Sequence, residues 1–295
     1  MNGIEKNRPV RVLLTSDVHH GYTKTWYGVP SEERMQRWVD AIKEEHENSP
    51  IDLIIFAGDA SLDHYIDRGS YTNDGISTSE QFVKDYVSQL PPEIPIFIGA
   101  GNHEKFNDEQ WESYTGNKRN GAVALRDDLF IIVDSFSSGL EPNYDGKTEL
   151  YSPVDVGFIK EQMEKHPDKR VWIVSHWIEK TRESEEFKSL VREDPRIIGL
   201  FAGHIHRGDY AMLGEEFGNK VLAYTGQFSY SFFTAYPHLG DMDALYNSFW
   251  GFRELLIYPD MAQSSYIRVK TQIPTYRDIP YDLERNLIYG IEYLY

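Results

Sequence analysis

Five apolar, β-branched runs in this chain each stop on a residue able to hold a metal or move a proton. They are VRVLLTSD (10–17), IDLIIFAGD (51–59), IPIFIGAGNH (94–103), RVWIVSH (170–176) and IIGLFAGH (197–204). Runs of that length and composition predict strands buried on both faces. Amphipathic stretches with helical spacing at 31–47, 78–90 and 155–166 lie between them, so strand and helix alternate as in a layered α/β protein. LFIIVDS (129–135) adds another strand, and runs at 220–225, 252–258 and 264–271 add more without clear helices between them. The expected architecture is two mixed β-sheets packed face to face and flanked by helices.

No repeat, low-complexity linker or composition shift divides the 295 residues, which predicts a single domain over 1–295 with 272–295 as a C-terminal extension. That extension holds five tyrosines and is expected to wrap a sheet or meet another subunit. No apolar run approaches the roughly 20 residues of a membrane span, and the start lacks an apolar signal core, which points to the cytoplasm and to no membrane partner. A formal charge of -17, with no basic run longer than Lys118-Arg119, disfavours long nucleic acids as partners. An anionic substrate would need a local source of positive charge, and bound metal ions are the obvious one. The chain has no cysteine, so any metal must be held by histidine, carboxylate and amide groups.

Polar residues at the C-terminal ends of strands are where α/β sheets gather ligands. Asp17 and His19 follow the first run, Asp59 ends the second, Asn102 and His103 the third, His176 the fourth, and His204 with His206 the fifth. Side chains two apart on an extended strand share a face, which would pair Asp17 with His19 and His204 with His206 and put His20 on the opposite side. Gly58, Gly101 and Gly203 each precede one of these groups, where the backbone must turn sharply or approach a neighbour closely.

The motifs D17-x-H19, G58-D59, G101-N102-H103-E104, V-S-H176 and G203-H204-x-H206 together resemble those of the calcineurin-like metallophosphoesterases, over roughly residues 10 to 210. The stretch GFRELLIY from Gly251 also resembles a late strand of that family. The resemblance implies the family's four-layer sandwich, with a dinuclear centre between the two sheets. One metal would be held by Asp17, His19, Asp59 and His206, the other by Asp59, Asn102, His176 and His204, with Asp59 bridging. Such ligands suit two divalent or trivalent transition-metal ions, Mn, Fe, Zn, Ni or Co, without choosing among them. It further implies hydrolysis of a small phosphomonoester or phosphodiester by in-line attack of a hydroxide bridging the metals, with His103 as the acid that protonates the leaving alkoxide. Phosphoprotein phosphatase, nuclease and non-catalytic metal-binding scaffold are the alternatives that share such a site.

Many relatives carry a further aspartate three positions after the G-D aspartate, where it orients the acid histidine. Here Asp63 falls one position late. Glu104 is expected to support a ligand or lie at the surface, not to bind metal. His20 is a candidate for supporting the site or touching substrate, against a structural role. His64, His238 and Arg207 could meet substrate but read better as surface groups, and His46 and His166 fall near helix ends, where a cation is favourable. The acidic stretches 44–47 and 183–186 read as solvated helix faces. Loops 20–30, 60–77, 136–153 and the aromatic segment 226–250 are expected to shape the pocket.

Overall fold

The computed structural model describes residues 8–21, 24–26, 29–62, 77–104, 106–136, 151–230, 250–269 and 287–295. Strand β1 (Val10–Thr15) runs parallel to β4 (Leu53–Ala57), and β4 to β5 (Ile96–Gly99). Between them in the chain come a small ribbon, β2 (Thr25–Trp26) with β3 (Val29–Pro30), and helix α1 (Ser31–Asn48). The second sheet has β6 (Gly121–Leu125) antiparallel on one edge of the parallel set β7 (Asp128–Val133), β8 (Arg170–Ser175), β9 (Ile197–Ala202) and β11 (Val221–Tyr224). Strand β10 (Tyr210–Met212) pairs antiparallel with β11 on the other edge. The chain then returns to the first sheet through β12 (Gly251–Ile257), β13 (Met261–Arg268) and β14 (Leu287–Leu294), giving the orders β14-β13-β12-β1-β4-β5 and β10-β11-β9-β8-β7-β6.

Strand alternation builds the layers. In β1, Val12 and Leu14 face the second sheet and join Ile55, Phe130, Trp172, Val174 and Phe201 in the core between sheets, whereas Leu13 points outward. That outer face is covered by α1, α2 (Thr78–Asp85) and α3 (Asp108–Thr115), which bring Trp38, Phe82 and Trp111 onto Leu13, Ile54 and Phe56. The outer face of the second sheet lies under α4 (Val156–Lys165) and α5 (Glu185–Glu193), whose Ile159 and Phe187 pack on Ile131, Ile173 and Leu200. Burial of each such side chain contributes about 1.5–3 kcal/mol. Helices α2 to α5 start on side-chain caps: Ser77 accepts the Glu80 N–H at 3.2 Å, Asn107 and Gln110 form a reciprocal box, and Asp155 and Ser184 cap α4 and α5. The two mixed sheets with flanking helices are thus as expected from the sequence.

Several elements depart from the expectation. The ribbon β2–β3, α3, β6 and β10 were not legible as elements, being short or weakly apolar. The helix expected over 78–90 stops at Asp85 and gives way to a 3-10 turn at 87–89. Part of the C-terminal stretch, 287–294, is an edge strand of the first sheet. The acidic stretches are not uniformly solvated: Glu45 is buried against Arg11, and Glu183 is buried beneath the Tyr151 hydroxyl, which donates to it. A carboxylate in a charge-rich helix is buried where it meets a donor that replaces water.

Candidate metal centre

The parallel strands of both sheets end on the same side of the molecule, and there the chain leaves regular extended geometry. Asp17, His19, Asp59, His204 and His206 all have left-handed backbone, with φ of 53°, 43°, 57°, 68° and 55°. Only two other non-glycine residues among those described, Arg126 and Asn219, do so. Each such position costs on the order of 1–3 kcal/mol, and such strain gathers at sites whose surroundings over-determine it. This corrects the alternation reading: Asp17 and His19 converge because the backbone turns, not because an extended strand alternates, and His204 and His206 do not pair but turn to different groups of donors, His204 toward Asn102 and His206 toward His19. The first two loops continue the parallel pairing past the strands, with the N–H groups of Asp17, His19 and His20 donating to Gly58, Asp59 and Ala60 at 3.0, 3.0 and 2.9 Å.

Close packing explains two glycines. Gly58 has φ of +90°, and a Cβ there would lie 2.6 Å from His176 Nδ1. A Cβ on Gly101 would lie 2.2 Å from Asp59 Oδ1. Any larger residue would push a donor out of place.

The seven residues implied as ligands meet in two groups. In the first, the Nε2 atoms of His19 and His206 face each other at 3.1 Å, with Asp17 Oδ1 3.8 and 3.3 Å from them. In the second, His176 Nε2 and His204 Nδ1 each lie 3.0 Å from Asn102 Oδ1. Asp59 Oδ2 stands between the groups, 3.7 Å from His19 Nε2 and 3.2 Å from His176 Nε2. His103 Nε2 is also 3.7 Å from Asp59 Oδ2, and its ring meets that of His19 edge-on at 4.6 Å. The main-chain N–H of His103 donates to Asp59 Oδ1 at 3.0 Å.

These contacts make sense around positive charge. Asp17 Oδ1 is buried and accepts no hydrogen bond, and His19 Nδ1 likewise has no partner. Two ring nitrogens aimed at each other beside carboxylate oxygens bring lone pairs together, which is repulsive unless protons or cations intervene. His176 Nδ1 donates to Ala57 O at 2.7 Å, and His206 Nδ1 donates to Tyr230 O, which turns each Nε2 inward toward the carboxylates. Burial drives the His19 pKa down to about 3, which keeps that ring neutral. Burial opposes ionisation of Asp17 and Asp59 too, but neighbouring histidines overcome it and hold both below the usual carboxylate range. Burial likewise lowers the His176 pKa, and the charge of Asp59 outweighs it and lifts the value to about 10. Three sets of donors come together, Asp17 with His19 and His206, His19 with Asp59 and His103, and Asp59 with His176 and His204, and these oxygen and imidazole donors, centred on Asp59, fit a pair of transition-metal cations.

Buried charged side chains hold the loops in place. Glu104 is fully buried and binds main-chain N–H groups of both the Asp59 and Gly101 loops, so it supports the site and is not a surface group. Arg34, also fully buried, donates to the carbonyls of Val18, His19 and Phe228. Arg119 donates to the carbonyls of Glu104 and Phe106, and Arg253 to those of Gly208 and Asp209. Three arginines thus grip the segments around His19, His103 and His206. Sequence reading assigned none of them a role, although Arg34 shares a helical face with Trp38 and Ile42, a position that signals a buried cation.

The remaining histidines separate clearly. His20 is buried and turned away from the centre, with Nδ1 3.0 Å from Ser31 Oγ, Nε2 3.3 Å from Gln81 Oε1, and its ring against Tyr86. Arg207 is ion-paired with Asp209. His46 accepts the Ile51 N–H at 3.1 Å at the end of α1, and His166 follows α4. Asp63, His64 and His238 lie outside the described residues, as does much of the loops 60–77, 136–153 and 226–250. Aromatic rings flank both groups of donors: Trp177 stacks on His204 at 4.2 Å, and Tyr230 lies 4.4 Å from His206 with Trp26 against it.

A two-sheet sandwich that gathers such donors where its parallel strands end is the framework of a metal-dependent phosphoesterase. The chain belongs to the calcineurin-like phosphoesterase family, whose model matches residues 10–208 and so spans all the motifs described above. The family uses a dinuclear transition-metal centre. The fold is similar to that of a dimetal phosphatase from Danio rerio, at 12% identity over 88% of this chain and 96% of that chain, with a TM-score of 0.60. It is similar to GAP50, the anchor in the inner membrane complex of Plasmodium, at 12% identity over 98% and 89%, with a TM-score of 0.59. PhoD is a third, at 9% identity over 89% of this chain and 66% of that chain, with a TM-score of 0.54. No curated protein matches the sequence. No helix among the described residues is long and apolar enough to cross a membrane.

Proposed function

We propose that this protein hydrolyses a small phosphomonoester or phosphodiester at a dinuclear metal centre. The observation that carries the reading is the pair of donor groups sharing Asp59 Oδ2. Asp17, His19, Asp59 and His206 would hold one metal, and Asp59, Asn102, His176 and His204 the other. When bound, the two ions supply positive charge to a phosphoryl group and make water acidic enough to act as the nucleophile near neutral pH. Against their four positive charges the ligands set only two carboxylates, so the site is attractive to phosphate in a chain whose formal charge is -17.

His103 is the group assigned to the leaving side. It sits at the rim of the donor cluster, with about 10% of its side chain exposed, against 1% for His19 and 0% for His176. Its proton passes to the leaving oxygen as the phosphorus–oxygen bond breaks, so that an alcohol departs in place of an alkoxide. The bond of its main-chain N–H to Asp59 fixes the ring's origin relative to the shared ligand.

Turnover of p-nitrophenyl phosphate and bis-p-nitrophenyl phosphate by manganese-loaded protein tests the reading. Turnover of at least one ester is expected. His103→Asn should lower it by about 10²-fold or more while leaving metal content unchanged, and Asp59→Asn should lose both metal and turnover. Metal-loaded protein that hydrolyses neither ester, nor any member of a broad phosphate panel, defeats it. A scaffold that only binds metal has no use for the acid histidine, and stoichiometric metal with a stable protein partner and no turnover would favour that alternative.

A further inference from the structure

A row of rings leads away from His103. The His103 ring meets His19 at 4.6 Å, His19 lies 5.4 Å from Tyr230, and Tyr230 lies 4.4 Å from Trp26 with 37° between the planes. Tyr230 and Trp26 are both half-buried, whereas His19 beneath them is 1% exposed. The Lys24 ammonium sits over the Trp26 ring, 5.2 Å from its centre. Tyr230 is not a loose surface residue: its carbonyl receives the His206 Nδ1 proton, and two residues earlier the Phe228 carbonyl is held by Arg34 at 2.7 Å.

We infer that the alcohol portion of the substrate carries a flat aromatic ring, which stacks on the Trp26–Tyr230 surface. The inference rests on the phosphoesterase reading, because it takes its direction from His103. An acid must touch the oxygen that leaves, so the alcohol lies against His103, and its far end runs past His19 toward Tyr230 and Trp26. Two half-buried rings there offer apolar and π surface to water beside an otherwise strongly polar site. A flat ligand ring covers that surface by offset or edge contact, which a puckered ring of the same size does less well. Stacking of this kind contributes about 1–3 kcal/mol in ring-binding proteins, or roughly five- to a hundredfold in affinity.

Benzyl phosphate and cyclohexylmethyl phosphate test this directly, since both are esters of primary alcohols of like size and differ in ring planarity. Wild-type protein with manganese should favour the benzyl ester in kcat/KM by about tenfold, mainly through KM. Trp26→Ala should bring the ratio of the two to within about twofold, and Trp26→Phe should retain most of the preference, which also controls for misfolding. Adenosine 5′-monophosphate against ribose 5-phosphate extends the comparison to a heterocycle. Binding of benzylphosphonate and cyclohexylmethylphosphonate, read by calorimetry, reports ring recognition without any bond cleavage. Equal handling of the two esters overturns the inference and leaves the phosphoesterase reading standing. Absence of turnover of both esters with tighter binding of benzylphosphonate leaves ring recognition in place, and the phosphoesterase reading is then decided by the wider panel of monoesters and diesters; equal binding of the two phosphonates overturns the inference.

Discussion

The Glu104 carboxylate holds the main chain of Asp59: its Oε2 accepts the Asp59 N–H at 2.9 Å and that of Gly101 at 2.7 Å. Its Oε1 accepts the N–H and hydroxyl of Ser61 at 3.0 and 3.1 Å. One side chain therefore ties the loop after β4 to the loop after β5. Burial and the charge of Asp59 raise its pKa to about 7 in spite of these donors. Glu104→Gln turns an amide NH₂ toward N–H groups at one of the two oxygen positions. The expected cost is about 1–3 kcal/mol of stability by urea unfolding. Metal affinity by calorimetry should weaken by about 10- to 100-fold. Unchanged affinity in a destabilised variant would show that Asp59 is positioned by other means.

Arg34 is a fully buried guanidinium whose hydrogen bonds all go to neutral acceptors, the carbonyls of Val18, His19 and Phe228 and the Ser31 hydroxyl. Burial lowers its pKa to about 9, still high enough to keep it charged. Arg34→Met removes every donor and leaves those carbonyls buried, at a cost of about 3 kcal/mol or more. The loss should fall on the first donor group: metal analysis is expected to find the ion beside His19 depleted before the one beside His176. Arg34→Lys keeps the charge but cannot span the three carbonyls, and should lie between. Equal loss of both metals would contradict this division.

The fold was legible because the strands are buried on both faces and therefore read as unbroken apolar runs, as Val12, Leu13 and Leu14 illustrate. The positions of the donors were legible because each follows such a run. Their geometry was not. A sequence carries no direct sign that Asp17 and His204 leave the strand in left-handed conformation, so the alternation rule joined Asp17 to His19 for the wrong reason and wrongly joined His204 to His206, which turn to different donor groups. The supporting arginines were hidden for a different cause: Arg119 and Arg253 act through main-chain carbonyls, whose positions exist only once the chain is folded. Trp26 and Tyr230 were seen only as members of loops, because 204 residues separate them and nothing local connects the two.

Arg11 forms a second buried charge cluster, starting one residue into β1. It pairs with Glu254 at 2.6 Å and with Glu45, and also donates to the Glu45 carbonyl at 2.6 Å. Arg11→Met would strand two buried carboxylates and should cost about 3–5 kcal/mol, seen as a lower denaturant midpoint. Replacing Glu254 by Leu in the same chain should recover part of that loss. Turnover per folded molecule should stay at the wild-type value, because β1 carries this cluster at its start and the candidate metal donors Asp17 and His19 after its end.

Left-handed backbone at five donor positions has a consequence for how a cation is captured. A chain that has already fixed those dihedral angles during folding loses little further freedom when an ion arrives. The ordering cost is met by the two sheets, not by the ligand. Metal uptake should therefore be quick and reversible, with a small entropic penalty and little movement of the loops, so that one ion can be exchanged for another without the protein refolding around it.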